Sequence, residues 1–160
     1  MSAQGPRTYN PEVDYMRIRR FLIDTYALYG RPRNWLLERW NFLRYAVIPI
    51  HNHYQVQSFG VPTERVDPVR DEQDVWERTI GIWETSSGEM AGLVHTENEE
   101  PGEAWFQLHP DHHDLCEQML DYAERRLTNW VDDLGYIKLY LDDDSPLVAL
   151  AQARGYRRLD

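Results

Sequence analysis

One cysteine, Cys116, in 160 residues leaves no internal disulfide to be formed, as expected of a chain in a reducing compartment. No apolar run approaches the ~20 residues of a bilayer span. The opening Met-Ser-Ala-Gln-Gly-Pro-Arg does not have the apolar core of a secretory signal. These absences lead to the expectation of a cytoplasmic chain with no membrane partner. Basic residues are also scarce after the first third: residues 51–160 hold nine against twenty-three acids, whereas residues 1–50 hold eight arginines against four acids. With a net charge of −10, most of the surface repels a phosphate backbone, so nucleic acid is not an expected partner. The acidic part reads as a solvated face, or more sharply as a cleft that attracts small cationic amines.

The length suits one domain, able to bury roughly 70% of its unfolded surface. Two helices are expected over residues 1–49, a loop over 50–74, and a sheet with helices over 75–160. Asn10-Pro11 is an N-cap followed by a first-turn proline. Tyr15, Ile18, Leu22, Thr25 and Tyr29 then recur at helical spacing until Gly30. Asn34 is positioned to cap a second helix through Leu36, Trp40, Leu43 and Val47, ended by Pro49. His51 and His53 in the following loop lack a third ligand at metal-site spacing and read as loop residues.

From residue 75 the period shortens. Residues 75–84 and 89–96, separated by the turn chemistry of Ser86-Ser87-Gly88, read as an antiparallel hairpin. A third strand is expected at 103–109 and a helix through Leu115, Met119, Ala123 and Leu127. The unbroken run Tyr136–Leu141 reads as a strand buried on both faces. Ser145-Pro146 opens a last helix ending at Gly155, and a further strand is expected from Tyr156. The fold class is therefore α/β (α+β), a mixed, mostly antiparallel sheet with helices on both faces.

That order of elements resembles the GNAT acyltransferase superfamily. The stretch Thr79–Leu93 is similar to that family's strand-turn-strand hairpin, Gln107-Leu108-His109-Pro110-Asp111 to the end of its fourth strand, and Ala149–Tyr156 to its helix ending in Gly-aromatic. The resemblance spans nearly the whole chain and implies acetyl-CoA as cofactor, with the fourth and fifth family strands splayed to form its cleft. By location it puts cofactor contacts at Gln107, Leu108, His109, Asp114, Leu115 and Cys116.

Three departures qualify what is implied. The family's glycine-rich phosphate turn is missing, since no glycine occurs between Gly102 and Gly135. Phosphate capture there needs bare backbone N–H groups at a helix start, and Asp111 and Asp114 add charge of the wrong sign. Either aspartate reads as an ordinary helix N-cap. The position of the family's proton-donating tyrosine is Ala151, and Tyr156, beyond the glycine, reads as a core aromatic. The family's general base does not carry over: Glu103 and Gln107 are candidates by location only, and an amide is no base. Cys116 as a nucleophile at a helix start, and His109, His112 and His113 with Asp111 as metal ligands, are less economical readings than a solvated polar turn. Finally, the family has one more strand after the one expected at Tyr156, so the chain resembles the degenerate first half of a tandem two-domain GNAT protein. The exposed edge would then be covered by a following domain or by a second copy.

Three functions compete. The first is a GNAT-type domain without catalysis, a structural or substrate-shaping half of an acyl-CoA-dependent N-acyltransferase, with acetyl-CoA binding weak or lost. The second is an active acetyl-CoA-dependent N-acyltransferase on a small amine, the fourth strand's N–H groups holding the thioester carbonyl. The third is a non-enzymatic module that binds another small molecule.

Overall fold

The computed structural model describes residues 4–42, 75–97 and 101–159. Strand β1 (Gln4–Thr8) precedes the first helix and was not expected. Pro6 masks it in the sequence, although an edge strand tolerates proline. Helix α1 (Pro11–Tyr29) begins as its sequence dictates, the Asn10 side chain accepting from the Glu12 amide, and ends at Gly30 with φ 69°. Only a residue without Cβ adopts that left-handed turn at no cost. Helix α2 (Leu37–Phe42) starts three residues beyond Asn34. Asn34 is therefore not its cap; its side chain bonds across the molecule, to Gln107 and to the Tyr140 carbonyl. Leu43, Val47, Pro49 and the 50–74 loop with its two histidines lie outside the described residues.

Strands β2 (Gly81–Glu84), β3 (Met90–His95) and β4 (Glu103–Leu108) form the expected meander. The first of them is shorter than its sequence implies. Residues 75–77 are helical instead, because the Trp76 indole N–H reaches the Thr96 carbonyl and the Thr79 hydroxyl closes back on Trp76 O. Side-chain packing overrides β propensity there. A 3₁₀ turn (His113–Leu115) leads into α3 (Cys116–Arg126). Neither Asp111 nor Asp114 caps this start: His112 holds the cap position without a side-chain bond, and Asp114 lies inside the turn.

A second unforeseen element follows, the hairpin of β5 (Asn129–Val131) and β6 (Leu134–Tyr136). Its two turn residues, Asp132 and Asp133, both have positive φ, as a two-residue hairpin turn matched to strand twist demands. The run 136–141 is consequently split, and only β7 (Lys138–Tyr140) joins the main sheet. It is a half-buried edge strand, not one buried on both faces. Helix α4 (Pro146–Ala153) is capped by Ser145 as expected. Residues 156–159 join no strand among the described residues.

The main sheet runs β1-β2-β3-β4-β7, antiparallel except for the parallel β4–β7 pair. Period-two alternation sends neighbouring side chains to opposite faces. Ile82, Leu93 and Trp105 join α1 and α2 in an aromatic core with Trp35, Trp40 and Trp76. Trp83, Val94 and Phe106 face a more aliphatic core under α3 and α4 with Leu115, Met119 and Leu120. Gly81 permits one close approach: a Cβ there would stand 2.7 Å from the Tyr122 ring, whose hydroxyl donates to Thr79 O. Among the described residues no helix is long and apolar enough to cross a membrane.

Candidate functional site

Strands β4 and β7 pair for three residues, from Glu103↔Lys138 to Trp105↔Tyr140. Beyond that β4 continues to Leu108 while the other chain turns off through Leu141 and Asp142 towards α4. The two strands thus part where the family resemblance implied a cofactor cleft. The chain itself fills the gap.

The filling comes from the end of α1 and the turn behind Gly30. The Asn34 carboxamide donates to Tyr140 O at 2.6 Å and accepts from Gln107 Nε2 at 2.8 Å. It therefore bridges β4 and the chain after Tyr140 where β7 leaves the ladder. Arg33 is almost fully buried along its side chain and pairs with Asp142 at 3.1 Å and Asp144 at 2.9 Å. Its guanidinium lies 4.0 Å over the Tyr29 ring. Both ion partners and the ring are needed, because a guanidinium left unpaired at this depth would be costly. The Tyr29 hydroxyl donates to Leu108 O at 3.0 Å, and burial pushes its pKa up, so it stays a donor. The void left among Thr25, Tyr29, Gln107, Asp142 and Leu147 is 10 Å³, about the room of one water.

The turn after β4 is equally committed. His109 N donates to Ala91 O, His112 N to His109 O and Leu115 N to His112 O. Cys116 N donates to His113 O, and Asp111 N to His109 Nδ1. A phosphate cradle needs such N–H groups pointing outward, and these point into the turn. The Asp111 and Asp114 side chains beside them are 84% and 60% exposed, so an arriving phosphate would meet two carboxylates.

The six positions expected to contact a cofactor therefore divide. Gln107 and Leu108 stand at the gap with their polar groups taken by Asn34 and Tyr29. His109 and Asp114 lie at the surface turn, and Leu115 is buried in the aliphatic core. Cys116 is buried, and loss of water raises its thiol pKa; a protonated thiol is a poor nucleophile. Glu103 accepts from the Glu97 amide at 2.8 Å. Tyr156 packs against the aliphatic core and donates to Glu124 at 3.1 Å; burial and then that carboxylate push it to about 12, holding its proton. His109 and His112 have ring centroids 5.4 Å apart, yet no three His, Cys, Asp or Glu groups converge as a metal site among the described residues. Tyr29, Arg33, Asn34 and Asp142 escaped the sequence reading. Their signal is the pair of opposed charge runs, Arg31-Pro32-Arg33 against Asp142-Asp143-Asp144.

Comparison with family models, with curated proteins and with solved structures finds no match to the chain.

Proposed function

We propose that the chain is a GNAT-like domain without catalysis of its own, a structural or substrate-shaping half of an acyl-CoA-dependent N-acyltransferase. The observation that carries this reading is the sealed gap between β4 and β7. Tyr29, Arg33 and Asn34 occupy the space in which an acyl thioester would have to lie, and they hold it with hydrogen bonds and ion pairs. The bonded, acid-flanked turn at 109–116 supports the same conclusion from the phosphate end. An active enzyme would have to open both. A small-molecule module would have to open the first.

Isothermal titration of the chain with acetyl-CoA tests the proposal. No saturable heat is expected up to about 100 µM, corresponding to binding weaker than about −5 to −6 kcal/mol. Saturation in the low micromolar range would overturn it in favour of the active acetyl-CoA-dependent acyltransferase.

A further inference from the structure

The turn that fills the gap rests on a histidine. His95, the last residue of β3, is fully buried, and Trp35 packs against it with ring centroids 4.5 Å apart. Trp35 directly follows Arg33 and Asn34, two of the residues that hold the gap shut. Trp40 of α2 approaches the same imidazole, at 6.1 Å. One side chain on the sheet therefore supports both the sealing turn and the helix behind it.

That support suits a neutral ring only. His95 Nδ1 lies 2.7 Å from Thr96 O. A carbonyl only accepts, so Nδ1 carries the hydrogen and Nε2 the lone pair. Nε2 is buried without a hydrogen-bond partner, and a proton added there brings a second N–H and a full charge. The indole nitrogens of Trp35, Trp40 and Trp105 are also buried and unpartnered, but indoles donate and do not accept. The charges around the ring, among the described residues, do not help. From α2, the Arg39 guanidinium lies 4.7 Å over Trp35 and 4.5 Å over Trp105, and it opposes a second cation. Glu97, just past β3, is engaged by Arg39, and Glu103 of β4 by the Glu97 amide. Helix α1 and strand β2 bring Tyr15, Ile18, Leu22 and Ile82 to this core, and residues 75–77 bring Trp76; none of these is a carboxylate.

The ring and the parts it supports do not yield equally. Strand β3 is held by its pairing with β4, His95 opposite Trp105. Helix α2 has six residues, too few to persist unaided. The turn before it is tied down by side-chain bonds, those of Tyr26, Arg33 and Asn34. Strain at the imidazole is therefore relieved by lifting residues 31–42, and Asn34 leaves Gln107 and Tyr140 O with them.

We propose that His95 is an acid-sensitive latch, whose protonation lifts residues 31–42 from the sheet and opens the gap between β4 and β7 while β3 and β4 stay paired. The latch does not rest on the acyltransferase reading, since no acyl-CoA takes part in it.

Amide hydrogen exchange between pH 7 and pH 5, followed by NMR and corrected for the pH dependence of chemical exchange, tests the latch. In water His95 gains its proton near pH 6.5, and in the closed chain burial delays this to about pH 4. Opening should be read at the Trp40 amide, bonded to Leu36 O, and at the Asn34 amide, bonded to Asp142. It should become about 20-fold more frequent from pH 7 to pH 5. The Leu93 amide in β3 should stay at least ~10-fold better protected throughout. His95→Phe keeps every carboxylate and should abolish the rise, and His95→Leu, also without a charge to gain, should do the same. Opening at Trp40 and Asn34 that is flat with pH would overturn the proposal. So would a rise that persists in both variants, or Leu93 exchanging in step with the other two amides, since acid would then unfold the chain as a whole. None of these outcomes touches the acyltransferase reading, which stands or falls on the acetyl-CoA titration at pH 7.

Discussion

The two ends of the main sheet use the same kinds of side chain to opposite effect. At the β1 end, Asp14 is fully buried and accepts from both Arg7 terminal nitrogens at 2.6 and 2.8 Å, from Asn10 N at 2.8 Å and from Arg17 at 3.2 Å. Glu84 shares these arginines, 2.7 Å from Arg7 Nη2 and 2.6 Å from Arg17 Nη1. Strand β1, helix α1 and the β2–β3 hairpin are thereby tied at one point, and Arg17 also reaches Gly88 O across the hairpin turn. At the β7 end, Arg158 meets Asp143 at 3.2 Å with both side chains more than three-quarters exposed. Pairs of that kind contribute little in water. Burial therefore decides the role of a charge here: at one end it locks the fold, and at the other, exposed to water, it adds little to it.

Removing the lock should have the largest effect. In Asp14→Ala, Arg7 and Arg17 lose the buried one of their two shared acceptors, Glu84 remaining, and the Asn10 amide loses its bond. Breaking a buried charge network from one side costs about 3 kcal/mol, a fall of roughly 6–12 °C in Tm for a domain of this size. Thermal unfolding at pH 7 checks it. Burial works to raise the Asp14 pKa, and the Arg7 bond, the Asn10 amide and Arg17 override it, holding the carboxyl below its usual range. Its contribution is thus present above about pH 4 and lost only as pH falls below that. A drop in Tm as small as that of an exposed variant would mean that the two ends do not differ.

A different group governs the range between pH 4 and 7. His95 is fully buried beside Trp35 and Trp40, with ring centroids 4.5 and 6.1 Å away, and its Nδ1 lies 2.7 Å from Thr96 O. Burial pulls its pKa down to about 4, against the Thr96 bond and with help from the nearby Arg39 charge. The unfolded chain binds this proton near pH 6.5, the folded chain near pH 4. The stability it confers is therefore complete above about pH 6.5 and is lost as pH falls towards 4. At pH 5 the loss is about 2 kcal/mol relative to pH 7. Urea midpoints across that range should show this slope, and His95→Phe, which keeps an aromatic ring between the two tryptophans, should flatten it. A slope unchanged in the variant would place the titrating group elsewhere.

The legible parts of the sequence are those whose physics is local. Asn10-Pro11 and Ser145-Pro146 announce helix starts because capping is settled within three residues, and Gly30 and Gly155 announce their ends. The meander was readable from β-branched and aromatic residues alternating about short turns. The errors arise where distant contacts decide. Tyr136–Leu141 looks like a core strand, but nothing in its composition reveals that a hairpin consumes Tyr136 and that β7 lies at an edge. Asn34 looks like a helix cap, yet its amide N–H bonds to Asp142, 108 residues away. For the site, the missing glycines and misplaced acids of the 109–116 turn were visible in the sequence. The closure of the gap was not, because it depends on a hydroxyl and an amide meeting backbone carbonyls of strands far along the chain.

That closure yields the smallest of the expected effects. Tyr29→Phe removes the hydroxyl that donates to Leu108 O and nothing else, since the ring that carries Arg33 at 4.0 Å remains. Losing one neutral hydrogen bond to a carbonyl costs about 1 kcal/mol, or roughly 2–4 °C in Tm, well short of the fall expected for Asp14→Ala. Arg33 with Asp142 and Asp144, and Asn34 with Gln107 and Tyr140, still hold the two strands. The gap should accordingly stay shut, with the variant giving no more heat with acetyl-CoA than the parent chain. If Tyr29→Phe melted as low as Asp14→Ala, the seam at β4–β7 would rival the lock at β1, and the contrast between the two ends would fail. If it melted only slightly lower yet bound acetyl-CoA, a single hydroxyl would be the bolt on a site that the rest of the fold still retains.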